Sequence, residues 1–258
     1  MYARQIPKSL LHTLRPTRFT SALGVMSVLV VAACAVDAPS GLHSPAPSSS
    51  LQTLGVTSES RLGSASQFAV LGASTVTCTG AGTNTGNVGV SPGSSITGFN
   101  PDCTLTGTLH AADNVAASAQ ADAATAYGSL SAKPCNVTYG TVQELGGLTL
   151  APGVYCFPSS GQVSSGTLTL NGPGRFIFKV ASTFITSTGT SVILTGGARC
   201  DSIYWLVGSS ATLGGPVVGN ILAYTSIGLD TGARLRGRAI ALNGAVTMSG
   251  QNAVSICG

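Results

Sequence analysis

The sequence predicts a strand-dominated β-solenoid with a single long, Ala-rich helix laid along one face, and three observations carry that prediction. Five apolar stretches recur in the second half of the chain, Gly153–Phe157, Arg175–Val180, Ser202–Val207, Gly219–Tyr224 and Gly237–Leu242, with starts 22, 27, 17 and 18 residues apart. Each is followed by two shorter strand-like pieces set off by Gly, Ser, Asn or Thr. A period of roughly 20 residues with about three strands per period is how a solenoid coil reads in sequence. Second, charged residues are only 8% of the chain, against about 25% in an average globular domain; Gly, Ser and Thr replace them and favour turns and strands. Third, one segment breaks the pattern: His110–Tyr127 holds nine Ala and no Gly or Pro, a helical composition, with Gly128 as the expected stop and Pro134 beyond it.

From the N-terminus, residues 1–33 read as an export signal. Arg4, Lys8, Arg15 and Arg18 precede the apolar run Phe19–Ala33, which ends in small residues and is short for a membrane span. Val31-Ala32-Ala33-Cys34 resembles a bacterial lipobox, which implies cleavage before Cys34 and a diacylglycerol on its sulfur, with Ala35 favouring the outer membrane or cell surface. Residues 34–60, rich in Ser, Pro, Ala and Gly, read as a tether that buries too little apolar surface to fold. The folded domain is expected over residues 61–258.

Seven Cys occur. With Cys34 set aside for lipid, Cys78, Cys103, Cys135, Cys156, Cys200 and Cys257 form an even set suited to an oxidising compartment. Six Cys allow 15 pairings; the sequential set is favoured, because each bond would close a loop or tie coils together. No CxxC pair occurs, which speaks against zinc.

Within the domain, short strand-like runs from Gln67 to Cys103 precede the helix. Gly153-Val-Tyr-Cys-Phe, Arg175-Phe-Ile-Phe-Lys-Val, Ser202-Ile-Tyr-Trp-Leu-Val and Gly219-Asn-Ile-Leu-Ala-Tyr are apolar at nearly every position. Such strands need cover on both sides, and the Ala-rich helix is the element available to cover the outer one. Other strands alternate: Leu168 and Leu170 can point in while Thr167 and Thr169 face out, and Val246 and Met248 can point in while Thr247 and Ser249 face out. Two faces rich in Thr, Ser and Gly are thus left open.

The composition also excludes functions. Four of the basic residues lie in the leader, leaving the rest near neutral, which speaks against nucleic acid as a partner. Six acids follow Arg61, namely Asp102, Asp113, Asp122, Glu144, Asp201 and Asp230, none on corresponding strands of adjacent coils, and His110 is the lone His of the domain. No enzyme, cofactor or metal is expected.

Several segments resemble the bacterial and fungal ice-binding-like family, in order through residues 61–258: Phe68-Ala-Val-Leu-Gly-Ala-Ser-Thr-Val-Thr77, Gly86-Asn-Val-Gly-Val-Ser-Pro-Gly93, Ile96-Thr-Gly-Phe99, Leu148-Thr-Leu-Ala-Pro-Gly-Val-Tyr-Cys156, Val207-Gly-Ser-Ser-Ala-Thr-Leu213, Gly219-Asn-Ile-Leu-Ala223 and Asn243-Gly-Ala-Val-Thr247. The resemblance implies a right-handed, discontinuous solenoid of triangular section with a helix beside one face, binding an ice surface and its ordered water through one flat face. By likeness to the family's short Thr-containing turns, Thr183, Thr186, Thr188, Thr212, Thr225, Thr231, Thr247 and Ser249 are the expected contacts. The other face carries Thr167, Thr169, Ser191 and Thr195 but also Arg234 and Arg236, which suit a flat water-ordering surface poorly. Asp230 and Gly214-Gly215-Pro216 interrupt the motif, and no strict Thr-x-Thr ladder is read. A monomer tethered by lipid is expected; the alternative function is a surface adhesion or structural lipoprotein binding glycan or protein.

Overall fold

The computed structural model describes residues 62–258; the expected signal, the Cys34 lipidation site and the tether lie outside the described residues. The chain opens on a 3-10 turn, Gly63–Gln67, and winds through β1 (Phe68–Gly72), β2 (Thr75–Thr79), β3 (Thr83–Thr85), β4 (Asn87–Val90), β5 (Ser95–Thr97), β6 (Thr104–Thr106) and β7 (Leu109–Ala111). Helix α1 (Asn114–Ser131) follows. The chain then climbs coil by coil: β8 (Val137–Thr138), β9 (Gln143–Glu144), β10 (Thr149–Leu150), β11 (Gly153–Phe157), β12 (Gly161–Val163), β13 (Thr167–Asn171), β14 (Phe176–Val180), β15 (Phe184–Thr186) and β16 (Ser191–Thr195). It ends with β17 (Ile203–Val207), β18 (Ala211–Leu213), β19 (Pro216–Ala223), β20 (Ile227–Leu229), β21 (Arg234–Ala241), β22 (Val246–Ser249) and β23 (Ala253–Ser255).

Every named strand pairing is parallel, and the pairings sort into three faces. The helix face stacks β8, β11, β14, β17, the second halves of β19 and β21, then β1, β4 and β7. The second face stacks β9, β12, β15, β18, β20, β22, β2 and β5. The third holds β10, β13 and β16, and further along the first halves of β19 and β21, then β23, β3 and β6.

The stacking is discontinuous. After β23 the chain ends, and the next place on the helix face is taken by β1, whose Val70 pairs with Ala239 of β21. The N-terminal coils therefore sit on top of the C-terminal ones, closing a seam at which the Ile256 N–H donates to the Thr85 carbonyl (3.1 Å). β19 and β21 run from the third face to the helix face without a break, and the bend falls on Gly219 and Gly237, with φ of 114° and 150°. A Cβ on Gly237 would stand 1.8 Å from the Gly219 carbonyl oxygen, so backbones stacked this closely at a positive φ require glycine.

Two apolar cores result. Inside the coils, Tyr155, Phe157, Phe178, Trp205 and Phe184 stack, with the Trp205 ring 4.0 Å from Phe178 and 4.3 Å from Phe184. Outside, Ala116, Ala119, Ala123, Ala126 and Leu130 of α1 bury a single stripe against Phe68, Leu71, Ile177, Tyr204, Leu206, Leu222 and Ile240. The 3–4 spacing of those Ala residues puts them on one side of the helix, and methyl side chains let it lie close to the sheet. Apolar strands and Ala-rich helix thus satisfy one another, as the composition predicts.

Two details differ from expectation. The helix starts and ends four residues later than predicted: His110 belongs to β7, Asp113 caps the helix by accepting from the Ala116 N–H (2.8 Å), and the helix runs through Gly128 to Ser131. Tyr224, expected under the helix, is 53% exposed at the corner between the helix face and the second face. Lys179 reaches off its strand to donate to the Lys133 carbonyl (2.9 Å). The disulfides are Cys78–Cys103, joining the two uppermost coils, Cys135–Cys156, anchoring the exit from α1, and Cys200–Cys257, pinning the C-terminus.

Candidate functional site

The second face carries two outward columns of side chains. One is fixed by register from end to end: Glu144, Gln162, Ile185, Thr212, Gly228, Thr247, Thr77 and Thr97 lie beside one another on successive strands. The other runs two residues upstream through Ser160, Thr183, Ser210, Ser226 and Ala245, tied by coil-to-coil backbone hydrogen bonds, to Thr75 and Ser95. Between the columns, Phe184, Ala211, Ile227, Val246 and Val76 point inward and are buried. This is the period-2 alternation of a strand with one wet side.

The hydroxyls are held by neighbours of their own kind. Ser160 and Thr183 share a hydrogen bond of 2.9 Å, and the Thr97 hydroxyl donates to that of Thr77 (3.4 Å). Stacked strands are about 4.8 Å apart and alternate residues along a strand about 6.7 Å apart, so above Ile185 the columns form a regular grid of small side chains, hydroxyl-bearing except at Gly228 and Ala245. The lower end closes on Glu144. Burial pushes its carboxyl up, but donors from Ser164, Gly146 and Gln162 outweigh burial and hold it below the usual range, so it stays ionised there.

Of the residues expected from sequence, Thr183, Thr212 and Thr247 stand in the two columns. Ser249 is half-buried at the β22 end of the same face. Thr188 and Thr231 are exposed in the turns that leave the face, and Thr225 is exposed in the turn that enters it. Thr186 is corrected: it is 3% exposed, with its hydroxyl oxygen accepting from the Gly214 N–H (3.1 Å). Its register partner is Leu213, an inward residue, so Thr186 belongs to the interior.

Sequence reasoning missed Thr75, Thr77, Ser95 and Thr97, because they precede the helix in sequence yet continue the face above β22. A signal was present. Thr75-Val-Thr77, Ser95-Ile-Thr97 and Ser210-Ala-Thr212 are hydroxyl–apolar–hydroxyl tripeptides, the pattern two outward columns require. Thr104-Leu-Thr106 repeats it on the third face, and Thr83-Asn-Thr85 keeps the two hydroxyls around a buried Asn84; there the columns run through Ala253 and Ser255 into Arg234 and Arg236.

The comparisons bear on the family and the fold. The model of the family described as Ice-binding-like matches residues 70–254. The chain belongs to the Ice-binding-like family. It is 48% identical over 205 residues to an ice-binding protein of Nostoc sp. (strain HG1), covering 77% of this chain and 75% of that one. It is 32% identical over 214 residues to an ice-binding protein of Flavobacterium frigoris (strain PS1), covering 76% and 75%. Among solved structures, an ice-binding protein from an Antarctic biological consortium superposes with a TM-score of 0.71 at 47% identity, covering 76% of this chain and 90% of that one. One from the Antarctic ascomycete Antarctomyces psychrotrophicus gives 0.69 at 36% identity, covering 76% and 98%. The family's strand-dominated, β-helical architecture with one helix is the architecture found here.

Proposed function

We propose that this protein adsorbs to ice through the second face, with the columns Thr183–Ser210–Ser226–Thr75–Ser95 and Thr212–Thr247–Thr77–Thr97 as the contact. The observation that supports it most is the register-locked grid, in a member of a family whose relatives are named ice-binding proteins. Adsorption to a crystal needs many weak contacts held in a fixed repeat. Each Thr offers a hydroxyl that can hold ordered water and a methyl that limits competing hydration. Strand ladders fix the spacing before contact, so little ordering cost falls on binding.

No aromatic residue stands in either column, so a neutral glycan has nothing to stack on there, and ice is favoured over adhesion. The test is ice-crystal shaping and recrystallisation inhibition with wild type, Thr212→Tyr and Thr247→Tyr. Faceting and suppressed coarsening in the wild type, lost in both variants at unchanged melting temperature, is the expected result. A well-folded wild type that leaves ice unshaped would refute the reading.

We infer further that the chain is exported and held at the outer membrane or cell surface by lipid on Cys34, acting as a monomer at the end of the 34–60 tether. The lipobox-like Val31–Cys34 and the even remainder of six Cys support this. Mass spectrometry of the mature N-terminus should find a diacylated Cys34, and an unmodified one would count against the tether.

A further inference from the structure

We propose that the third face binds an anionic polysaccharide, so that the molecule can hold ice on one face and a carboxylated or sulfated polymer on another. Arg234 and Arg236 lie two residues apart on β21, both outward and exposed. Neither guanidinium meets an acid among the described residues. Arg175 stands exposed just before β14, and Arg199, its side chain 67% exposed, just before the short 3-10 turn Cys200–Ser202. Arg199 and Arg236 line a common hollow of about 260 Å³. Asp201, which lines that hollow together with Cys257 and Gly258, is engaged by Arg199 (2.8 Å). In a chain with so few charges, Arg234 and Arg236 set two cations side by side on the third face with Arg175 toward its edge, a concentration that attracts anions.

The surroundings choose the polymer. Beside the arginines the columns continue through Ala253 and Ser255, giving a flat strip with a neutral hydroxyl next to forked cationic donors. Guanidinium groups take carboxylate or sulfate bidentately, and an extended chain with an anion on each repeat can follow the strip. A nucleic-acid duplex engages about six to ten phosphates, more than this strip offers, and no aromatic side chain stands in these columns to stack a base. Anionic lipid is disfavoured as well, since the positions flanking the pair are Pro216, Val218, Ala253 and Ser255 rather than aromatic anchors.

The test is affinity electrophoresis and calorimetry of the full-length protein with alginate (carboxylated), dextran sulfate (sulfated) and neutral dextran, alongside duplex DNA and phosphatidylglycerol vesicles. Binding is expected to one or both charged polysaccharides and not to neutral dextran. It should weaken about tenfold in Arg234→Ser/Arg236→Ser and at raised salt, while Thr212→Tyr leaves it unchanged. The two polysaccharide arms tell carboxylate from sulfate. The Arg pair is separate from the ice-contact columns, so its variant should match the wild type in ice assays, and loss of polysaccharide binding in it is read independently of whether the wild type shapes ice. Should the double variant bind as tightly as wild type, should no charged polysaccharide bind, or should DNA or vesicles bind more tightly, the proposal is overturned.

Discussion

At the residue scale, Thr186 and Thr212 lie on neighbouring strands and face opposite ways. The register sets Ile185 beside Thr212 and Thr186 beside Leu213, and side chains alternate with period 2. One hydroxyl reaches solvent and the other accepts from Gly214 inside. Replacing Thr186 by Val should therefore cost about 1–2 kcal/mol of stability through the lost buried hydrogen bond, read by chemical denaturation, and leave ice shaping intact. Thr212→Tyr should do the reverse. The sequence makes Thr conspicuous but not its facing, because that is set by register across coils 17 to 27 residues apart. Thr183, Thr212 and Thr247 face outward beside the buried Phe184, Ala211 and Val246; strand alternation pointed to this for Thr247, whereas Thr183 and Thr212 were singled out by the family resemblance alone. Thr186 was misjudged because its neighbour Ile185, equally apolar, is the one turned outward, 42% exposed.

At the element scale, the helix was legible in kind and misplaced in span. Its Ala run spoke for helix, but the start is fixed by the Asp113 cap, which composition alone did not separate from His110. Gly128 did not stop it, since that position faces open space and an exposed helical Gly costs only about 1 kcal/mol. The close seating of α1 makes two predictions. Ala119→Leu, placed at a fully buried contact, should overpack the interface and cost about 1–3 kcal/mol, seen as a lower melting temperature. Asp122 accepts from the Ser64 hydroxyl (2.6 Å) and the Ser64 N–H (2.7 Å), and these bonds hold its carboxyl below the usual range. A folded pKa below the unfolded one stabilises above about pH 4 and is lost as pH falls through the folded value. Thermal melts should therefore find Asp122→Asn less stable than wild type at pH 7, with the gap narrowing as the pH falls below about 4 toward the lowered folded value.

At the scale of the whole molecule, the ends of the described chain meet at a seam inside a stack that is continuous in space. The period, the helix-covered face and the two open faces could be read from the second half of the sequence, where coils follow one another. The order of stacking could not be read from periodicity, because β1 sits on β21 across the seam, and only the family resemblance pointed to a discontinuity. Cys200–Cys257 closes a separation of 57 residues at that seam. Its removal in Cys200→Ser/Cys257→Ser should cost about 4 kcal/mol by loop-closure entropy and fray β23 first, which hydrogen exchange of Ala253–Ser255 would report.

The seam also bears on function, because the ice-contact columns cross it between Thr247 and Thr77. The most direct test of the account is therefore ice recrystallisation inhibition by wild type and Thr77→Tyr at matched concentration and confirmed folding. A face assembled across the seam predicts that Thr77→Tyr, lying 170 residues from Thr247 in sequence, abolishes the activity as fully as Thr247→Tyr does. Full activity in Thr77→Tyr alongside loss in Thr247→Tyr would contradict it.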